Sequence, residues 1–112
     1  MAEQYVAFID KKTKKAFEEL KEGEFQDKKL YDNINTAIDH LKADHGYGIR
    51  IPHNLIPKDY VKKHEIDNLR KVNLPDGWRL LYTVQADKVM IVSVILEWMD
   101  HKNYERRFGY KG

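Results

Sequence analysis

The residues of this chain best equipped for chemistry sit near its end, in the run Asp100-His101-Lys102-Asn103-Tyr104-Glu105-Arg106-Arg107. His101 carries the only side-chain type whose ordinary pKa lies near neutrality. Tyr104 can donate or accept a proton when a neighbouring cation lowers its pKa. Cleavage of RNA by internal attack of the 2′-hydroxyl needs a base, an acid for the leaving oxygen, and positive charge on the phosphorane-like transition state. His101, Tyr104, Arg79 and Arg106 or Arg107 would supply all three. If the tail is helical, His101 and Tyr104 stand at i and i+3 on one face. The alternative is a frayed chain end with Phe108 and Tyr110 packed back on the core.

Arg70 and Arg79 flank Pro75-Asp76-Gly77. Each reads as a strand residue, and the turn between them pairs the two strands. Across a short hairpin the two guanidiniums would lie near each other on an open sheet face, a phosphate cradle whose planar forks match phosphate oxygens. Otherwise they are surface arginines with solvated heads. The five histidines, His40, His45, His53, His64 and His101, show no ligand spacing such as HExxH, so no metal site is expected. There is no Gly-rich phosphate loop and no GxSxG elbow, and no cofactor is expected. Trp78, Trp98 and the tyrosines could stack on bases, although large aromatics on strands more often belong to a core.

Several elements must position these residues. Tyr5 to Ile9 reads as a first strand. Asp10 ends it and can cap a helix, with Thr13 the rival cap; Ala16, Phe17 and Leu20 share one face of that helix, and Gly23 stops it. A second helix runs from about Asp27 to Ala43, where Leu30, Ile34, Ala37, Ile38 and Leu41 form one apolar stripe at helical period. Asp44-His45-Gly46 is expected to end it, with Gly46 able to take the left-handed cap conformation. Ile49 to Ile51 reads as a short extended piece, and Pro57 suits the first turn of a short helix through Val61 or beyond. Leu69 to Leu74, Trp78 to Gln85 and Lys88 to Trp98 read as three strands, joined by Pro75-Asp76-Gly77 and Ala86-Asp87. On the middle one Arg79, Leu81 and Thr83 share a face opposite Leu80, Tyr82 and Val84. The last is apolar enough to lie centrally, and the first strand should pair beside the last or the second. The expectation is a single α+β domain over residues 1–112, ordered β-α-α-β-β-β, with two N-terminal helices packed on a small, mostly antiparallel sheet.

Composition narrows the class. The 112 residues are 34 % charged and 42 % apolar, as in a soluble globular protein, and a chain this size is expected to bury one modest core but not two. The longest apolar run, Val89 to Leu96, has strand length and does not approach a membrane span. No export signal is evident, and the absence of cysteine excludes disulfides and thiolate metal sites, so the cytoplasm is the default compartment. The net charge is only +2; residues 1–56 carry nine Lys/Arg and ten Asp/Glu, residues 57–112 eleven and eight. This tilt permits a nucleic-acid partner without requiring one.

The succession KVNLPDGWRLLYTV, an apolar strand and HKNYERRF resembles the RelE/ParE superfamily of bacterial and archaeal toxins. The resemblance covers Leu69 to Tyr104 well and the β-α-α start more loosely, while Gly46 to Asn68 is longer than the usual connection. It implies the toxin of a type II toxin–antitoxin system: a ribosome-dependent mRNA endoribonuclease of RelE or HigB type, silenced by a cognate antitoxin and working on mRNA without metal. By position, Arg79 matches the strand arginine on the scissile phosphate, Arg70 a basic residue of the preceding strand, and Tyr104 the C-terminal tyrosine of acid/base chemistry. His101 and Tyr104 together resemble the HigB-type tail. Catalysis then falls to His101, Tyr104 and Arg79, and RNA binding to Arg70, Lys71, Lys102, Arg106 and Arg107. Val72 stands where a second basic residue is expected, and Glu97 or Trp98 where the tail should begin basic. These departures favour a second reading, the same fold without catalysis as an RNA- or protein-binding module. A gyrase-directed ParE-like toxin is a third reading, against which the His/Tyr tail argues.

Overall fold

The computed structural model describes residues 2–109. The elements are β1 (Glu3–Phe8), α1 (Lys11–Glu19), α2 (Phe25–Ala43), β2 (Ile49–Arg50), α3 (Lys58–His64), β3 (Arg70–Asn73), β4 (Arg79–Ala86), β5 (Met90–Met99) and α4 (His101–Phe108). The class is α+β, but the expected β-α-α-β-β-β order lacks β2, α3 and α4 as elements of the architecture. The five strands lie in the order β1-β5-β4-β3-β2. β1 runs parallel to β5 and the other three pairings are antiparallel, so the sheet is mixed. β5 is thus internal, as its apolar sequence requires.

The local signals explain most of these boundaries. Asp10 accepts from the Thr13 N–H at 2.7 Å and starts α1. α2 begins where the Asp27 carboxylate reaches back to the Glu24 N–H at 3.1 Å. All five residues of its predicted stripe, Leu30, Ile34, Ala37, Ile38 and Leu41, are buried. It ends after Ala43 as expected, but without a left-handed glycine. Gly46 is not among the positive-φ residues; the helix stops at Asp44, in extended conformation at φ −154°, whose carboxylate accepts from the Gly46 N–H at 2.9 Å. An aspartate turn does here what a left-handed glycine could have done. In the β3–β4 connection both Asp76 (φ 63°) and Gly77 (φ 80°) are left-handed, and the Asp76 carboxylate pairs with Lys29 of α2 at 3.0 Å.

The sheet carries a hydrophobic cluster on each face, where one core was expected. Phe17, Ile34, Leu41, Leu80, Tyr82 and Ile95 belong to the cluster under α1 and α2. Ile56, Tyr60, Leu69, Leu81, Met99 and Tyr104 belong to the cluster under α3 and α4. Two short helices and a loop are enough to close the second face because the sheet itself is shared between both clusters. The Gly46–Asn68 segment, which looked like an overlong connection, supplies Ile51, Ile56, Tyr60 and Ile66 to that closure. Among the described residues no helix is long and apolar enough to cross a membrane.

Candidate functional site

Strand register decides which cations meet. Arg70 lies opposite Tyr82, and Lys71 opposite Leu81. Directly paired residues share a sheet face. Tyr82 is buried under α2 and Leu81 under α4, so Arg70 and Lys71 leave β3 on opposite faces. Arg79, two residues from Leu81, is on the Lys71 face. The expected cradle of Arg70 and Arg79 is therefore not formed. Arg70 turns to the other face and donates to the Gly48 carbonyl at 3.0 Å. Lys71 takes its place beside Arg79.

These two cations converge on Tyr104. The Lys71 Nζ stands 4.7 Å from the centre of the Tyr104 ring and the Arg79 guanidinium carbon 5.7 Å from it. The ring is 5 % exposed and stacks on Phe108 at 4.5 Å. α4 brings Tyr104 there because Asp100 caps it, accepting from the Asn103 N–H at 2.9 Å, and Gly109 ends it at φ 61°. Tyr110 lies outside the described residues, but Phe108 does pack back on the second core.

His101 occupies the first turn of α4, exposed and one turn from Tyr104. Its Nδ1 is 3.3 Å from Arg79 Nη2, and its Nε2 is 2.9 Å from Glu105 Oε1. A guanidinium can only donate, so the hydrogen-bond pattern assigns Nδ1 as acceptor and places the proton on Nε2, facing the carboxylate. Arg79 also donates to the Trp78 carbonyl at 3.1 Å, while its buried Nε has no hydrogen-bond partner among the described residues. The cluster thus combines two cations, an imidazole with an acceptor nitrogen, and a phenol.

The other predicted cations are placed differently. Arg106 donates to Asn103 Oδ1 at 3.3 Å along the exposed face of α4. Arg107 pairs with Asp59 of α3 at 2.9 Å and covers the Tyr60 ring at 4.8 Å, tying α4 to α3. Lys102 is exposed. Among the described residues no group of His, Cys, Asp and Glu could hold a metal ion.

A second polar group on the same face was not anticipated from sequence as a unit. Between Leu81 and Tyr82 the β4–β5 register slips by one residue, so that Leu81 faces Glu97 and Tyr82 faces Ile95. This bulge places Glu97 on the α3/α4 face, whereas strict alternation from Ile95 would place it under α1 and α2. There the Tyr60 hydroxyl donates to its Oε2. Burial pushes the Glu97 carboxyl above the usual glutamate range; Arg107 draws it back and Asp59 adds to the rise. Burial likewise holds the neighbouring His64 below the usual histidine value, with Lys63 acting in the same direction and Asp10 and Asp59 opposing. The sequence signal that could have located this group is Glu97 itself, an acid within an apolar strand.

Comparison with protein-family models, with curated proteins and with solved structures gives no match for this chain.

Proposed function

We propose that the face formed by Lys71, Arg79, His101 and Tyr104 binds an RNA phosphodiester, and that the chain is a toxin-type mRNA endoribonuclease acting with the ribosome and restrained by a cognate antitoxin. The observation that carries this reading is the convergence of Lys71, Arg79 and His101 around Tyr104. Lys71 and Arg79 hold the non-bridging oxygens, which draws the Arg79 fork away from His101 Nδ1. The freed lone pair takes the proton of the 2′-hydroxyl while Glu105 stabilises the imidazolium through Nε2–H. The 2′-oxygen then bonds to phosphorus, the bond to the 5′-oxygen breaks, and the Tyr104 hydroxyl protonates that leaving oxygen. A 2′,3′-cyclic phosphate and a 5′-hydroxyl result, with no outside reactant.

The test adds purified protein to a translating ribosome system and maps new mRNA ends, alongside growth on induced expression. Wild type should arrest growth and cut, and Arg79→Ala should cut roughly 100-fold more slowly, the usual effect of losing one transition-state donor. Harmless expression together with unchanged mRNA would end the enzyme reading. A non-cleaving RNA-binding module is the second reading, favoured by the carboxylates of Glu105 and Glu97 on the phosphate-binding face. It requires RNA affinity that falls steeply with salt, because phosphate contacts release counterions, and no cuts.

A further inference from the structure

β1 accompanies β5 only as far as the Phe8–Ile95 pair, whereas β5 continues to Met99. Beyond the end of β1 a cleft of about 710 Å³ opens, walled by the first turns of α1, by α3, by Leu96–Met99 and by α4. That volume suits a ligand of mononucleotide size. Most of its charges are already engaged. Asp59 pairs with Arg107, and Asp10 and Asp100 cap the helices they precede. Glu97 remains, half-buried in the wall with one oxygen accepting from Tyr60. Trp78 and Trp98 line the cleft while packing against the α1/α2 cluster, and Lys12 and Lys63 are exposed lining residues.

We propose that this cleft binds a guanine nucleotide, the edge of its base held by the Glu97 carboxylate and its phosphate directed to Lys12 and Lys63. A carboxylate only accepts, and its two oxygens offer about four acceptor positions, so Tyr60 leaves room for a ligand. Guanine alone among the four RNA bases presents two adjacent donors, N1–H and N2–H, on its Watson–Crick edge. Adenine, cytosine and uracil each set a donor beside a ring or carbonyl acceptor, which would face the carboxylate unfavourably. Burial raises this carboxyl and the two donors favour its charged form, so binding should weaken at low pH.

As a subsite for one base of a longer chain, the cleft rests on the RNA reading above. Asp100 and Asn103 line it, while His101 and Tyr104 of the same helix belong to the phosphate-binding face. As a site for free nucleotide it stands by itself. The two indole N–H resonances of this two-tryptophan protein report on it. GMP, AMP and ribose 5-phosphate would be titrated against the wild-type chain. GMP should shift them saturably, and AMP and ribose 5-phosphate should bind roughly 10-fold or more weakly, as expected for one lost bidentate contact. Glu97→Gln, nearly isosteric, should cost GMP about 10-fold or more and leave ribose 5-phosphate unchanged. Lys63→Ala, at an exposed position, should weaken GMP and ribose 5-phosphate alike. No saturable GMP binding, or a folded Glu97→Gln protein that binds GMP as wild type does, overturns the proposal. mRNA cleavage without GMP binding removes the cleft proposal alone; GMP binding without any RNA binding or cleavage removes the RNA reading alone.

Discussion

Replacing Tyr104 by alanine should destabilise the fold for a reason separate from proton transfer. The ring is 5 % exposed, lies 4.5 Å from the Phe108 ring, and has Lys71 and Arg79 at 4.7 and 5.7 Å from its centre. Truncating a buried aromatic to alanine costs about 3–5 kcal/mol through lost transfer energy and the cavity left behind. The two cation–π contacts account for about 0.5–1 kcal/mol each within that figure. A small domain holds about 5–15 kcal/mol in all, so the alanine protein should be marginally folded and α4, carrying His101, loosened. Tyr104→Phe keeps the ring, its stack and both cations. It should lose at most about 1.5 kcal/mol, the net worth of one hydroxyl hydrogen bond. Urea unfolding of the three proteins by far-UV circular dichroism measures this, with the slope checked for constancy. An alanine protein within about 1 kcal/mol of wild type would refute the claim that the Tyr104 ring is a packed member of the second core. With stability measured, cleavage by the phenylalanine protein becomes interpretable. A folded, inactive Tyr104→Phe assigns the chemistry to the hydroxyl; a fully active one assigns Tyr104 to packing and cation holding.

Tyr82→Phe should cost about 1–3 kcal/mol in urea unfolding, because the buried hydroxyl donates to the His45 carbonyl at 2.8 Å and accepts from the Gly48 N–H at 2.9 Å, and both would be left without it. Gly48→Ala should cost about 1–3 kcal/mol by overpacking, since a Cβ there would lie 2.7 Å from both the Lys71 carbonyl and the Tyr82 ring; faster amide exchange at Ile51, whose N–H bonds the Leu69 carbonyl at 2.9 Å, would show β2 loosening. Glu97 has a raised carboxyl in the folded chain, so the unfolded chain ionises first as pH rises. Wild type should lose stability from the ordinary glutamate value upward until the folded carboxyl has ionised, and Glu97→Gln should flatten that limb. His64 is depressed in the folded chain, so its contribution is present above the ordinary histidine value and is lost as pH falls through the folded one; His64→Gln should remove that acid-side loss in thermal melts across the same window.

Much of the scaffold was legible in the residues because its causes are local. Asp10 caps the helix it precedes, and the Leu30–Leu41 stripe turns toward the sheet because its spacing allows nothing else. The alternation along β4 put Leu80 and Tyr82 opposite Leu81 and Thr83, as the pleat demands. The spacing of His101 and Tyr104 fits one helix turn, but that the tail is a helix was decided by the structure. The chain between Gly46 and Asn68 was harder. Its apolar residues are too widely spaced to show a period, so its role in closing the second face depends on a sheet formed by distant strands.

What the sequence alone determined, then, is the set of elements whose signals lie within a few residues, together with the cations, the histidine and the tyrosine available to a site. What only the tertiary structure decided is which of them meet. The pairing of Arg70 with Tyr82 and of Lys71 with Leu81 is a register between strands, and a shift of one residue would exchange the two cations between faces. The bulge opposite Leu81 and Tyr82 likewise sets Glu97 beside Tyr60. The β3–β4 register goes with the tight Leu74–Trp78 turn and its two left-handed residues, and the faces it assigns make Lys71, in place of Arg70, the partner of Arg79. The bulge joins strands β4 and β5 and shows no signal in the residues around it, because alternation alone would put Glu97 on the other face.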